Sequence, residues 1–167
     1  GDGWVDLSDV SAIASNYGLN YRLMNPEKLS SQSGHPELYL VPNKFTYVPG
    51  ESVHIDVMLG TNTEPISEFR GIGFQLNINP TYIKQGTYSL QFGDNYICRF
   101  ADCADFVRTS DFSGIAAGSL VKTDGIQAYG YGRIAELNFV IDDFVTTSAV
   151  IPILFLNYKG IDSNGDE

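Results

Sequence analysis

From Glu37 onward the hydrophobic residues recur with a period of two. Val53, Ile55, Val57 and Leu59 alternate with Ser52, His54, Asp56 and Met58, and Ile72, Phe74, Leu76 and Ile78 alternate with Gly73, Gln75, Asn77 and Asn79. Ala135, Leu137, Phe139 and Ile141 do the same against Glu136 and Asn138. Successive side chains of an extended strand point to opposite faces, so each run is a strand with one face in a core and one toward water. Residues 151–156 are apolar on both faces and read as a buried strand, while 38–41, 88–92, 106–110 and 114–121 are weaker strand candidates. Pro49-Gly50, Asn79-Pro80, Gly93-Asp94, Asp124-Gly125 and Asn164-Gly165 mark turns between them. Roughly seven to nine short strands with frequent turns predict an all-β fold, an antiparallel β-sandwich.

A chain of 167 residues has room for one well-buried domain and an appendage, not for two ordinary domains. Its 20 acidic residues against 10 Lys and Arg give a net charge of -10, which argues against nucleic acid as a partner. The longest apolar run, 149–156, is interrupted by Pro152 and is far shorter than the roughly 18 residues of a membrane span, so no membrane insertion is expected. The chain opens inside a motif without a signal peptide, as a mature or excerpted product would.

That motif is Gly1-Asp2-Gly3-Trp4-Val5-Asp6-Leu7-Ser8-Asp9. Twelve-residue calcium loops take oxygen ligands from positions 1, 3, 5, 7, 9 and 12 and need glycine at position 6. Here Asp2 falls at position 5, Gly3 at 6, the Trp4 carbonyl at 7, Asp6 at 9 and Asp9 at 12, so residues 1–9 supply the second half of a Ca2+ loop. Leu7, Val10, Ile13, Ala14 and Tyr17 follow at helical spacing, with Gly18 where a helix would stop. A turn followed by acidic first-turn helix residues is the competing reading. The chain thus divides into a calcium loop and helix at 1–18, a polar connector at 19–36 and the sandwich at 37–167. Near the other end, Asp162, Asn164 and Asp166 have the spacing of loop positions 1, 3 and 5, either a second calcium site or a polar turn.

Cys98 and Cys103 are too few for a zinc site, and His35 and His54 are distant in sequence. A local disulfide in an exported protein, or a pair of buried thiols, accounts for them. His54, the one candidate base in a strand, lies in the outward register beside Asp56, where polar residues are the rule. No nucleophile-base pair accompanies it, so the chain is not expected to be an enzyme. Gly71-Ile72-Gly73 and Gly130-Tyr131-Gly132 lie in strands rather than at a strand-to-helix turn and fit bulges or close packing, not phosphate binding. Tyr82, Tyr88, Tyr96, Tyr129 and Tyr131 form a candidate sugar-stacking set, although aromatics also fill sandwich cores.

The segment GDGWVDLSDVSAIASNYG resembles one repeat of a dockerin, a calcium module that docks onto cohesin domains. The pieces VPGESVHIDVMLG, FRGIGFQLNINP, YGYGRIAELNFVIDD and GIDSNGDE, in this order, are similar to cohesin-type domains of large exported proteins of Bacteroidetes-like bacteria. The cysteine loop at 94–105 has no counterpart in that pattern. The resemblance implies a jelly-roll-like sandwich that binds a protein partner on one sheet face and carries no catalytic residues. With a dockerin-like end and a cohesin-like body, the chain is expected to bind other copies of itself outside the cell, head to tail, in a fibre or surface scaffold. The alternatives are a polysaccharide-binding accessory module of an exported hydrolase and a fragment of a large adhesin.

Overall fold

The computed structural model describes residues 21–23, 37–99, 102–144 and 148–162. Its strands are β1 (Tyr21–Leu23), β2 (Leu38–Pro42), β3 (Thr46–Tyr47), β4 (Ser52–Leu59), β5 (Ile66–Ile78), β6 (Ser89–Gln91), β7 (Cys103–Ser110), β8 (Ile115–Lys122), β9 (Ala128–Gly130), β10 (Gly132–Val140), β11 (Ala149–Ile151) and β12 (Ile153–Asp162). One sheet has the order β2-β4-β10-β6; a second has the order β12-β5-β8-β7, with β9 also paired to β5. A third, small sheet has the order β11-β1-β3. Pairing is antiparallel throughout except between β1 and β11. The calcium loop and the helix expected at 1–18 lie outside the described residues, and the described part of the chain is all β apart from one 3-10 turn at Pro80–Tyr82.

The alternation read from the sequence is the packing pattern. Val53, Ile55, Val57 and Leu59 of β4 and Leu137 and Phe139 of β10 point inward, as do Ile72, Phe74, Leu76 and Ile78 of β5, and all lie in one core at 5 % exposure or less. Each such side chain contributes about 1.5–3 kcal/mol by leaving water. Phe74 stands edge-on between Phe92, 5.9 Å away, and Phe155, 6.4 Å away, which fixes the floor beneath the middle of β5. Gly118 makes room for this group, since a Cβ there would lie 2.8 Å from the Phe92 ring.

Several elements differ from the sequence reading. Residues 151–156 do not form one buried strand: Pro152, which has no N–H to give to a ladder, separates β11 from β12, and the two join different sheets. Leu154 and Leu156 are 38 % and 46 % exposed, so the apolar residues of this segment lie on the outer surface as well as in the core. β5 runs back to Ile66 through a bulge at which Glu68 takes a φ of 57°. Within the segment read as a connector, Tyr21–Leu23 pair with β3 and β11.

The turn before β4 carries a local electrostatic tie. Glu51 accepts hydrogen bonds from the Lys44 ammonium and from the Val48 amide at 3.0 Å. The Lys44 bond first, and the Val48 amide second, hold its carboxyl below its ordinary value of 4.5. A carboxyl depressed by folding stabilises the protein above its unfolded value and loses that contribution as pH falls through the folded one. Thermal unfolding followed from pH 6 downward is therefore expected to show wild type losing stability below about pH 4.5 relative to Glu51→Gln. The difference stays below about 1 kcal/mol because the pair faces solvent.

Candidate docking face

The two large sheets present outer faces of opposite character. On the β4 sheet, Asp56, Arg133, Glu136, His54 and Asn138 bind one another: Arg133 lies 3.4 Å from Asp56 and 3.6 Å from Glu136, and His54 Nδ1 lies 3.6 Å from Glu136 and against the Asn138 amide oxygen. These five polar side chains are tied to one another. His54, the candidate base, is one member of that surface network.

The outer face of the β5 sheet is a grid set by strand register. Lys159, Gly73, Ser119 and Phe106 form one row and Asn157, Gln75, Ala117 and Arg108 the next. Ile161, Gly71, Val121 and Ala104 flank them on one side, and Leu154, Asn77, Ile115 and Ser110 on the other. Glycine, alanine and serine in the two central strands leave a shallow groove of about 430 Å³ between Lys159 and Asn157 on one bank and Phe106 on the other. Phe106 is 63 % exposed, and Val121, Ile161 and Leu154 are each near 40 %. No grid position carries a carboxylate, although the chain has 20 acidic residues. The side chains of Gln75, Ser119, Asn157 and Arg108 make no hydrogen bond or ion pair among the described residues. A shallow, small-floored, apolar-rimmed surface whose Gln75, Ser119, Asn157 and Arg108 side chains find no partner among the described residues, and which carries no acid, is suited to receive another chain.

Phe106 reaches this face on a strand anchored at its first residue. Cys103 opens β7 and is disulfide-bonded to Cys98, with the Cα atoms 5.9 Å apart. Directly opposite Cys103, the buried Lys122 donates to the Ile97 carbonyl at 3.4 Å and to Asp124 at 3.3 Å. Asn95, also buried, accepts from the Cys98 amide and donates to the Phe92 carbonyl. Replacing both cysteines by serine is expected to cost about 2 kcal/mol, the loop-closure entropy of so short a bridge. Thermal unfolding should show the double variant melting lower than wild type, and added reductant should lower wild type alone.

The other residues singled out in the sequence are dispersed. Asp2, Trp4, Asp6, Asp9, Asn164 and Asp166 lie outside the described residues; Asp162 is the last residue of β12, opposite Phe69. Among the described residues no three His, Cys, Asp or Glu side chains gather as a metal site would require. The tyrosines do not form one sugar platform. Tyr88 is in the core, edge-on to Phe139 with ring centres 6.2 Å apart, and Tyr82 packs against the core. The Tyr96 hydroxyl is buried without a partner among the described residues, whereas Tyr129 and Tyr131 are exposed beside Gly130. Burial raises the hydroxyl pKa of both Tyr88 and Tyr96 well above the ordinary tyrosine range. Sequence reasoning missed the grid because its signal, Gly73 of β5 set beside Ala117 and Ser119 of β8, becomes visible only once the pairing is known.

Two large sheets close on one core, and one of them has an open outer face whose register positions carry no acid: the fold is a β-sandwich. No family model matches the chain, and no curated protein matches it in sequence. Solved structures do match in fold. A type II cohesin domain from the cellulosome of Acetivibrio cellulolyticus is 15 % identical, covers 79 % of this chain and 86 % of its own, and superposes with a TM-score of 0.63. A type II cohesin–X-dockerin complex from the same organism contains a chain that is 12 % identical over 79 % of this chain and 90 % of that one, with a TM-score of 0.62. Type II cohesin A11 from Bacteroides cellulosolvens is 14 % identical over 77 % and 88 %, with a TM-score of 0.57. The fold is that of type II cohesin domains.

Proposed function

We propose that this chain is an exported, non-catalytic protein–protein interaction module whose β5-sheet face receives the N-terminal segment of another copy. Contacts between two different surfaces that do not close on themselves generate open chains, so copies join head to tail into a fibre or surface scaffold. The observation that carries the reading is the grid: an apolar-rimmed face floored by Gly73, Ala117 and Ser119, free of acids in a chain of net charge -10. Residues 1–18 contain Trp4, Val5, Leu7, Val10 and Ile13, apolar residues suited to that rim. The likeness to cohesin structures, one of them bound to a dockerin-containing module, supports the same assignment.

Calcium is part of the proposal. Asp2, the Trp4 carbonyl, Asp6 and Asp9 would hold one ion, and Asp162, Asn164 and Asp166 supply the first-half spacing that the N-terminal loop lacks. Calcium would order the loop that presents the docking segment. Electron microscopy of concentrated protein in millimolar calcium is expected to show linear particles that dissociate on chelation. Monodisperse single molecules under both conditions would refute self-assembly.

A further inference from the structure

We infer that β1 is an exchangeable strand: in the assembled state the slot between β3 and β11 is filled by Tyr21–Leu23 of a second copy. This inference rests on the head-to-tail reading above and names the element that passes between copies.

The slot is defined by backbone pairing. β3 and β11 are joined only through β1, which pairs in parallel with β11 (Tyr21 with Ala149, Arg22 with Val150, Leu23 with Ile151) and antiparallel with β3 (Tyr21 with Tyr47, Arg22 with Thr46). Tyr47 and Ile151, one on each wall, are fully buried, so the slot lies on the core and cannot stay empty without cost. Yet its occupant is a three-residue strand. Pairings this short lie at the low-stability end of a fold and open locally far more readily than the central strands.

The connection permits exchange. Residues 24–37 separate β1 from β2, and roughly 14 extended residues reach on the order of 45–50 Å. A domain of about 130 residues has a radius of gyration near 14 Å, so β1 can reach the slot of an adjoining molecule. The same backbone pairs form within one chain or between two, which makes the trade nearly neutral per strand and leaves concentration and the remaining interface to decide it. Exchange also has a directional consequence. Residues 1–18 lie just ahead of β1 in sequence, so a strand seated in a neighbour brings that segment to the neighbour as well.

Full-length Arg22→Cys and full-length Thr46→Cys, each carrying one half of a directly opposed antiparallel pair, test this. Opposed Cα atoms lie about 4.5–5.5 Å apart, within disulfide reach of about 4.4–6.8 Å. The chain carrying both substitutions, in dilute solution, is expected to close the bond internally, which checks that the pairing tolerates the change. When the two single variants are mixed in millimolar calcium and a glutathione redox buffer at assembling concentration, the R22C–T46C covalent dimer is expected. It should exceed at least tenfold the dimer formed by Arg22→Cys with Glu64→Cys, an exposed site outside the slot. Assembly by sedimentation without excess R22C–T46C dimer would overturn strand exchange while leaving head-to-tail docking in place. Absence of both would overturn the two together.

Discussion

Gly114→Ala is expected to destabilise the protein by roughly 4 kcal/mol and to lower its unfolding temperature on the order of 10–15 °C. Gly114 ends the β7–β8 hairpin with a φ of 64°, a conformation that costs an L-residue about 1 kcal/mol or more. A Cβ there would lie 1.7 Å from the Ile78 carbonyl oxygen and 2.9 Å from its carbon, both backbone atoms that cannot rotate away. Relief requires separating the hairpin from the end of β5. That breaks the hydrogen bond from the Ile78 amide to the Gly114 carbonyl, at 2.8 Å, and strains the one from the Gly114 amide to the Ser110 carbonyl, at 2.9 Å. Each is worth about 1 kcal/mol. Gly86 has a similar φ of 79° with nothing within 4 Å of its Cβ position, so Gly86→Ala should lose only the conformational part. Calorimetry of the two variants separates clash from backbone preference; equal losses would show that the carbonyl contact is not the cause.

Ser119→Arg is expected to weaken association at least a hundredfold, about 2.7 kcal/mol, while leaving thermal stability within a degree or two. Ser119 faces outward in the middle of the grid, between Gly73 and Phe106. A long cationic side chain there fills the groove and stands where a partner's apolar residues would be buried. Truncating the bank with Phe106→Ala removes an exposed aromatic anchor and should cost about 2 kcal/mol or less. Neither position contributes to the core, so melting temperature is the control. Ser119→Arg that binds normally would place the docking surface elsewhere.

The sequence carried the core and withheld the face. Alternation at 53–59, 72–78 and 135–141 identified the inward residues because burying one side of a strand forces apolar and polar residues to alternate, and nothing nonlocal is needed to read it. β1, β3 and β9, of two or three residues each, span at most one and a half periods of the alternation, so no pattern marks them. Pro152 was visible, but that it hands the chain from one sheet to another depends on partners far away in sequence. The grid is a product of register: Gly73, Ala117 and Ser119 are unremarkable singly and become a floor when β5 and β8 are aligned. Lys122 shows the limit of polarity rules in the other direction. It lies in an inward position because the Ile97 carbonyl and Asp124 meet its charge, partners that alternation alone does not reveal.

Sedimentation velocity on full-length protein in millimolar calcium, over a concentration series, tests the docking face most directly when wild type, Ser119→Arg and Asn138→Arg are compared. Asn138 sits on the outer face of the β4 sheet, so its substitution adds the same charge and bulk to the opposite side. Growth of large species for wild type and Asn138→Arg, with Ser119→Arg remaining a single-molecule species, is the predicted result. Loss of assembly in Asn138→Arg with Ser119→Arg unaffected, or a wild-type chain that never exceeds one molecule, would contradict it.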